Sequence, residues 1–148
     1  MDRIGRLFVG LVTTAIVIVG ALPAAADPSP DVLRVTPPTV SFGAKPVGSM
    51  TFKSTTITNT SSETIDLVVI VTREWDDFSF GLLPGSTCPG FDPAPLDPGE
   101  SCVLIVGFAP SETFLRLTQD QRFRATASDP ATGEILDIEE FVFLGKAR

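Results

Sequence analysis

Few side chains in this sequence are available for catalysis. The chain contains no histidine and no tyrosine, which removes Ser-His and Cys-His catalytic pairs and every imidazole metal site. Its carboxylates include two local groups, Glu74, Asp76 and Asp77 around Trp75, and Asp137, Glu139 and Glu140 further on. Nothing fixes two carboxylates at the separation that glycoside hydrolysis needs. We therefore expect a protein that is not an enzyme, with a small hydrolase as the remote alternative.

The acidic group of Glu74, Asp76 and Asp77 allows two interpretations. Carboxylate oxygens are the ligands that Ca²⁺ prefers, so a weak calcium site is one of them. The group lacks the Asp-x-Asp-x-Asp-Gly order of a calcium-binding loop, which favours a solvated turn with the Trp75 ring buried beside it. The sequence thus predicts no catalytic residue, no metal and no cofactor, and leaves calcium binding by this group open.

The first 26 residues predict export. Two arginines give a positive start, and the run from Leu7 to Leu22 is uncharged. Ala24 and Ala26 place small residues at the −3 and −1 positions of a cleavage site, as in a secretory signal peptide. An uncleaved membrane anchor is the rival interpretation, but the 16 residues of the run fall short of the roughly 20 that span a bilayer. We expect a signal peptide over residues 1–26 and no membrane span in the mature chain.

Cys88 and Cys102 are the only cysteines. In an oxidising compartment outside the cytoplasm, such a pair forms a disulfide by default, and two free buried thiols are the alternative. A bridge at this spacing would tie a loop to a strand and contribute on the order of 3 kcal/mol. The predicted localisation is secreted or retained in the cell envelope.

The exported part has the length of one domain. Residues 27–31 form a proline-rich lead-in, and residues 32–148 follow as a single unit. The mature chain carries 17 acidic and nine basic residues, a net charge of −8. Such a surface argues against nucleic acid and anionic lipid as partners, because both require clustered Lys and Arg. The simplest interpretation is that the charge keeps an exported protein soluble.

The domain predicts strands separated by turns. No stretch keeps apolar residues at helical spacing over three turns. The predicted strand regions are Val32–Phe42 with a break at Pro37-Pro38, Met50–Thr60, Thr64–Thr72, a short aromatic stretch from Trp75 to Phe80, Ser101–Phe108, Gln121–Ala127 and Ile135–Leu144. Residues 81–100 are rich in Gly and Pro and predict a long loop.

This pattern predicts an all-β fold, an antiparallel β-sandwich of about seven strands. Cys102, Leu104, Val106 and Phe108 share one strand face at period 2 and are candidate core residues. The prolines of the first strand place it at an edge, and charged residues such as Glu139 and Glu140 protect exposed edges.

Two segments resemble a known family. The first contains VTPPTVSFG (Val35 to Gly43), then Pro-Val-Gly, then ITNTS (Ile57 to Ser61), and the second runs from LDPGESC (Leu96 to Cys102) to VGFAP. In this order they resemble the immunoglobulin-like domains of bacterial choice-of-anchor proteins and the related hydin-type (ASH) domains. The resemblance implies a sandwich with a binding or scaffolding role and no catalysis. It also places Cys102 at the family's second cysteine position and Cys88 where its partner often lies, whereas the final strand keeps only the Leu-Gly ending.

The sequence therefore supports an exported adhesion or binding module that contacts an unknown protein or cell-envelope component. The contact would use the loops or an open edge strand. A passive structural or self-associating surface protein is the alternative. The sequence names no partner and leaves the oligomeric state open.

Overall fold

The computed structural model describes residues 31–79 and 83–148. The predicted signal peptide, with Ala24 and Ala26, lies outside the described residues and stays a prediction. The described residues form nine strands: β1 (Leu33–Thr36), β2 (Thr39–Lys45), β3 (Thr51–Asn59), β4 (Ile65–Arg73), β5 (Phe78–Ser79), β6 (Ala94–Leu96), β7 (Ser101–Phe108), β8 (Thr118–Ser128) and β9 (Ile135–Ala147). Within this part of the chain the one helical element is a 3₁₀ turn at Glu112–Phe114.

The strands form two sheets, with the order β1-β3-β7-β5 in one and β2-β9-β8-β4-β6 in the other. Neighbouring strands are antiparallel except for β2 and β9, which run parallel. The predicted all-β, immunoglobulin-like sandwich is thus confirmed. The count exceeds seven because the region broken by Pro37-Pro38 makes two strands and because the short strand β6 lies inside the segment predicted as an uninterrupted loop.

The break at Pro37-Pro38 carries the chain from one sheet to the other. β1 ends at Thr36 as the edge of the four-stranded sheet, and β2 starts at Thr39 as the edge of the five-stranded sheet. Proline has no N–H to give to a strand ladder, so two prolines mark the place where pairing on one sheet stops. The predicted edge position is confirmed for both strands.

The core lies between the sheets and follows the period-2 pattern. Cys102, Leu104, Val106 and Phe108 are all buried, as predicted. The ring of Phe108 lies at centroid distances of 5.3 Å from Phe42 and 4.8 Å from Phe78. These rings close the end of the core at which β7 and β9 finish.

Asn59 fixes the turn between β3 and β4. Its side chain is fully buried, its amide nitrogen donates to the carbonyls of Glu63 and Leu96 at 2.8 and 2.9 Å, and its Oδ1 accepts from the backbone and hydroxyl of Ser61. Asn59 thus bonds to the backbone of the turn that follows β3. Because Leu96 ends β6, the same amide connects β3 to the edge of the other sheet.

Candidate functional site

The acidic group near Trp75 is not a uniformly solvated turn. Glu74 and Asp76 are exposed, but Asp77 is only 4% exposed. Its Oδ2 accepts hydrogen bonds from the backbone of Ser111 at 3.1 Å and from Nε2 of Gln119 at 2.6 Å. Interpretation as a solvated turn is therefore wrong for Asp77, whose carboxylate holds the segment after β7 against β8. Among the described residues, no three His, Cys, Asp or Glu side chains are grouped as metal ligands.

The sequence interpretation did not identify two buried glutamines that lie beside this group. Gln119 and Gln121 are fully buried, and Oε1 of Gln121 accepts the backbone N–H of Trp75 at 2.8 Å. They precede Phe123 at the same period-2 spacing, so the inward face of β8 begins earlier than its apolar residues indicate. The Trp75 ring is half-buried and meets Phe114 edge-on at 5.3 Å. This cluster supports packing at one end of the sandwich.

The disulfide ties residues 83–88 to strand β7. Cys88 and Cys102 are joined by an S–S bond of 1.97 Å. The backbone N–H groups of Thr87 and Cys88 donate to the carbonyl of Val103 at 2.8 and 3.2 Å, and the Val103 N–H donates to Oγ1 of Thr87 at 2.9 Å. The loop therefore covers the part of the β7 edge that the two-residue strand β5 leaves unpaired.

A small apolar cleft lies between this loop and β3. Phe52, Leu83, Pro84 and Ile105 line a volume of about 300 Å³. No charged side chain lines it, so nothing in it fixes the orientation of a polar ligand. It is the loop-side candidate for a contact surface.

The first half of β9 is an open strand edge. Strand β2 pairs with β9 only from Val142 onward, so residues 135–141 have β8 on one side and no strand of the described residues on the other. The N–H of Val142 donates to the carbonyl of Pro38 at 3.0 Å. Because backbone groups alternate along a strand, the N–H and C=O groups of Glu140 and Ile138 face this same open side. We call residues 135–141 the β9 edge.

Apolar side chains are exposed along the β9 edge. Ile135, Leu136 and Ile138 are 59%, 42% and 46% exposed. Exposed apolar residues are ordinary when scattered, but three on one unpaired strand edge form a ready surface for another chain. The sequence interpretation assigned Ile135–Leu144 to a closing strand and missed that its first half lacks a second neighbour.

Asp137 protects the β9 edge from within. Its Oδ2 accepts the backbone N–H groups of Val32 and Leu33 at 2.9 and 2.8 Å, and its Oδ1 accepts the N–H of Ile138 at 2.8 Å. One carboxylate thus joins the beginning of β1 to β9 and occupies one of the open donors. An inward-pointing charge of this kind blunts a strand edge, a role that the sequence interpretation gave to Glu139 and Glu140.

Glu139 and Glu140 lie on opposite faces, as alternation predicts. Glu140 points outward, and its Oε1 lies 2.8 Å from Nη2 of Arg124. Burial raises the pKa of Glu139, and the negative charges of Asp137 and Asp31 raise it further. The inner side of the β9 edge therefore carries concentrated negative charge, which favours a basic group on any partner.

Comparison with known proteins supports the fold. No protein-family model matches the chain, and no curated protein matches its sequence. The ASH/PapD-like domain 7 of human CEP192 superposes with a TM-score of 0.65 at 8% identity, covering 91% of this chain and 98% of that domain. The fold is an immunoglobulin-like β-sandwich, shared with that domain.

Other solved structures share this sandwich within longer chains. The E. coli chaperone DraB matches with a TM-score of 0.52 at 12% identity, over 78% of this chain and 54% of the chaperone. A family 123 glycoside hydrolase from Clostridium perfringens matches with a TM-score of 0.53 at 6% identity, but over only 22% of that enzyme. At such identities the likeness extends to the fold alone.

The described residues contain no helix long and apolar enough to cross a membrane. The chemistry that the β9 edge offers is hydrogen bonding through backbone N–H and C=O groups, apolar contact and negative charge. These are the properties of a surface that binds another chain.

Proposed function

We propose that this protein is an exported, non-enzymatic binding or adhesion domain of the cell envelope. It holds an extended segment of a partner at the β9 edge. The observation that carries the proposal is the unpaired edge at residues 135–141 with its exposed apolar side chains. A passive structural or self-associating surface protein is the alternative, and a small hydrolase is a remote one.

Strand addition suits the β9 edge because backbone hydrogen bonds give affinity while alternate side chains give specificity. The partner segment would satisfy the outward N–H and C=O groups of Glu140. Apolar side chains on its outer face would cover Ile138. A lysine or arginine on its inner face would meet Glu139 and Asp137, which like-charged segments would avoid.

The apolar cleft at Phe52 and Ile105 is the weaker candidate for this role. It offers contact area but no charged group and no row of unpaired backbone groups, so it would select poorly among partners. The β9 edge combines all three kinds of interaction.

Export and lack of catalysis have separate support. The N-terminal segment has the parts of a secretory signal peptide, and the Cys88–Cys102 disulfide is compatible with an extracytoplasmic compartment. The absence of histidine from the sequence and the engagement of the Asp77 carboxylate by two N–H donors favour binding over hydrolysis. Resemblance to choice-of-anchor and ASH domains implies the same role.

The test is hydrogen exchange of the exported chain with and without cell-envelope extract, followed by crosslinking. We expect the amide of Glu140, whose N–H faces the open side of the β9 edge, to gain protection. The double variant Leu136→Thr/Ile138→Thr keeps β-compatible side chains on β9 but removes apolar area, and we expect it to lower the yield of crosslinked partner about tenfold, as loss of a central apolar contact does.

Phe91→Thr is the matched control, because Phe91 is a loop residue with 79% exposure. We expect it to leave capture unchanged. If the β9 variant captures as well as the unaltered chain while Phe91→Thr loses its partner, the loop between β5 and β6 is the binding surface and the proposal for the β9 edge is wrong.

A further inference from the structure

The side of the five-stranded sheet that contains the β9 edge is stepped. Residues 135–141 of β9 have no strand of the described chain beside them, whereas from Val142 onward β2 lies beside β9 and extends the sheet by one strand. Strand β2 is itself open on its far side, because it stands last in the sheet order and pairs only with β9. A recess and a projecting strand therefore lie end to end on one side of the sheet.

The projecting strand matches the recess in length. The recess spans seven residues, 135–141, and β2 also has seven, Thr39–Lys45, so each is roughly 23 Å long at about 3.3 Å per residue. Within one molecule β2 runs parallel to β9. A twofold axis perpendicular to the sheet therefore places β2 of a second copy antiparallel to the β9 edge, which is the more stable kind of pairing. The same axis places β2 of the first copy in the recess of the second.

The four-stranded sheet has the reciprocal step. Strand β1 pairs with β3 only from Thr56 to Asn59, so residues 51–55 of β3 have no strand of the described chain beside them on that side. The chain passes from β1 in this sheet to β2 in the other at Pro37-Pro38. Each sheet thus projects where the other is recessed.

Two hydrogen bonds align these steps along the sandwich. The N–H of Val32, before β1, donates to Oδ2 of Asp137 at 2.9 Å, and the N–H of Val142 donates to the carbonyl of Pro38 at 3.0 Å. Strand β1 therefore runs along the β9 edge, and β2 continues beyond it. One twofold axis between the crossovers of two copies fits a projecting strand into a recess in both sheets at once.

The two parts of the step differ in charge. Residues 32–62 contain three basic residues and no carboxylate, whereas residues 125–145 contain five carboxylates and no basic residue. Lys53 brings one of the basic groups to the open side of β2, where its Nζ donates to the carbonyl of Ser41 at 2.6 Å. That carbonyl faces away from β9 because the carbonyl of Pro38 faces β9 and backbone groups alternate along a strand.

The twofold arrangement brings Lys53 to the carboxylates of the β9 edge. An axis perpendicular to the sheet keeps inward faces inward, so side chains between the two sheets of one copy meet those of the other. Lys53 reaches β2 from β3 across the space between the sheets, and Asp137 and Glu139 lie on the inward side of β9. Glu140 lies outward and is already paired with Arg124. Each contact therefore joins one ammonium group to two carboxylates, and the symmetry repeats it.

We propose that the segment held at the β9 edge is strand β2 of a second copy of this chain, in a dimer with a twofold axis. This inference rests on the proposed function, because it assigns a partner to the surface named there. Pairing of two β9 edges with each other would instead bring like charges together. Because each copy fills the recess of the other, the contact closes at two copies.

The first test is sedimentation of the exported chain over a range of concentrations, with hydrogen exchange at both extremes. We expect the average mass to rise from one copy to two and no further. The amides of Glu140 and Ser41 face the open sides of β9 and β2, and we expect both to become about tenfold more protected in the dimer. A monomeric mass at every concentration, growth beyond two copies, or a dimer in which neither amide gains protection overturns the inference.

Two charge reversals test the contact itself. Lys53→Glu brings a carboxylate toward Asp137 and Glu139 of the other copy, and Glu139→Lys brings an ammonium group toward Lys53. We expect each variant alone to raise the dissociation constant of the dimer about tenfold, because a modest surface pair is altered twice. Lys146→Glu is the matched control, since it makes the same change at an exposed residue on the outward face of β9 and should leave dimerisation unchanged.

Mixing the two reversal variants gives the decisive result. In a mixed dimer, the carboxylate introduced at position 53 meets the ammonium group introduced at position 139, and at the other contact the natural Lys53 meets the natural Glu139. The mixture should therefore dimerise at concentrations where neither variant does so alone. A mixture that stays monomeric under those conditions contradicts the assigned contact.

Failure of this inference is distinguishable from failure of the proposed function. If the chain is monomeric but envelope extract still protects Glu140 and the Leu136→Thr/Ile138→Thr variant loses its crosslinked partner, only the identity of the partner is wrong. If the chain dimerises as described but no envelope protein is crosslinked at the β9 edge, binding of an envelope partner is wrong and self-association stands.

Discussion

Gly145 is the position where the packing of the two sheets leaves least room. A methyl carbon added there would lie 2.5 Å from Cζ of Phe108 and 2.7 Å from both of its Cε atoms. The Phe108 ring is fully buried and cannot retreat, because Phe42 and Phe78 lie behind it at 5.3 and 4.8 Å. We therefore expect Gly145→Ala to destabilise the fold, although alanine is otherwise the better strand residue.

The magnitude follows from two opposed effects. Overpacking by one methyl group destabilises the fold by about 1–3 kcal/mol. Replacing glycine within a strand stabilises it by about 0.5–1 kcal/mol, because the unfolded chain has less conformational entropy to lose. The expected net loss is about 1–2 kcal/mol. Gly90→Ala is the matched control, because no atom beyond its two chain neighbours lies within 4 Å of a methyl carbon there, and its effect should stay within about 0.5 kcal/mol.

A double-mutant cycle isolates the contact. Phe108→Ala alone should cost about 3–5 kcal/mol by removing a buried ring. In that background the space is free, so Gly145→Ala should be neutral or stabilising, which gives a coupling of about 1–3 kcal/mol. Urea unfolding followed by the fluorescence of the single tryptophan measures all four proteins. Equal costs of Gly145→Ala in both backgrounds would refute the assignment of Phe108 as its obstacle.

Two further predictions concern the disulfide and the β9 edge. Cys102→Ala should lower the free energy of unfolding by about 2–5 kcal/mol, because the bridge closes a loop with a sequence separation of 14. An unchanged melting temperature would contradict the presence of the disulfide. Glu139→Gln should stabilise the protein at neutral pH and lose that advantage in acid. The sign follows because a carboxyl whose pKa is raised in the folded state binds protons more readily there, so stability falls as pH rises through that pKa. Melting temperatures at pH 4 and 7 test this, and a gain that is the same at both would contradict it.

Sequence patterns predicted the strands that are specified by residues close together in the chain. Strand β7 was expected at Ser101–Phe108 and is found there, since a strict alternation of apolar residues follows a Pro-Gly turn. Strand β8 begins earlier than expected because the inward residues at its start are the buried glutamines Gln119 and Gln121. In the sequence these polar residues look like surface residues. Strand β6 consists of three residues in a Gly- and Pro-rich segment, and only pairing with β4 makes them a strand.

The candidate site depends on contacts between distant parts of the chain. The composition gave the net charge, but the proximity of Asp31 and Asp137 to Glu139 follows only from the fold. The sequence placed Asp137 in an acidic group without indicating that it bonds to Val32 and Leu33, more than 100 residues away. The extension of β9 to Ala147 likewise follows from a parallel pairing with β2, a partner that no local pattern identifies.

The arrangement at Asp137 explains how an open edge and a stable fold coexist. A strand edge with three exposed apolar side chains invites uncontrolled pairing with other copies. Asp137 limits this because its carboxylate already holds the N–H of Ile138 and fixes β1 beside it, so a second β9 edge would meet an occupied donor and like charges. A segment with positive charge binds the β9 edge more favourably than a second β9 edge does, because it offsets the negative charge of Asp137 and Glu139 while it covers Ile138. Selectivity for a basic, apolar partner thus follows from the same carboxylates that keep two β9 edges apart.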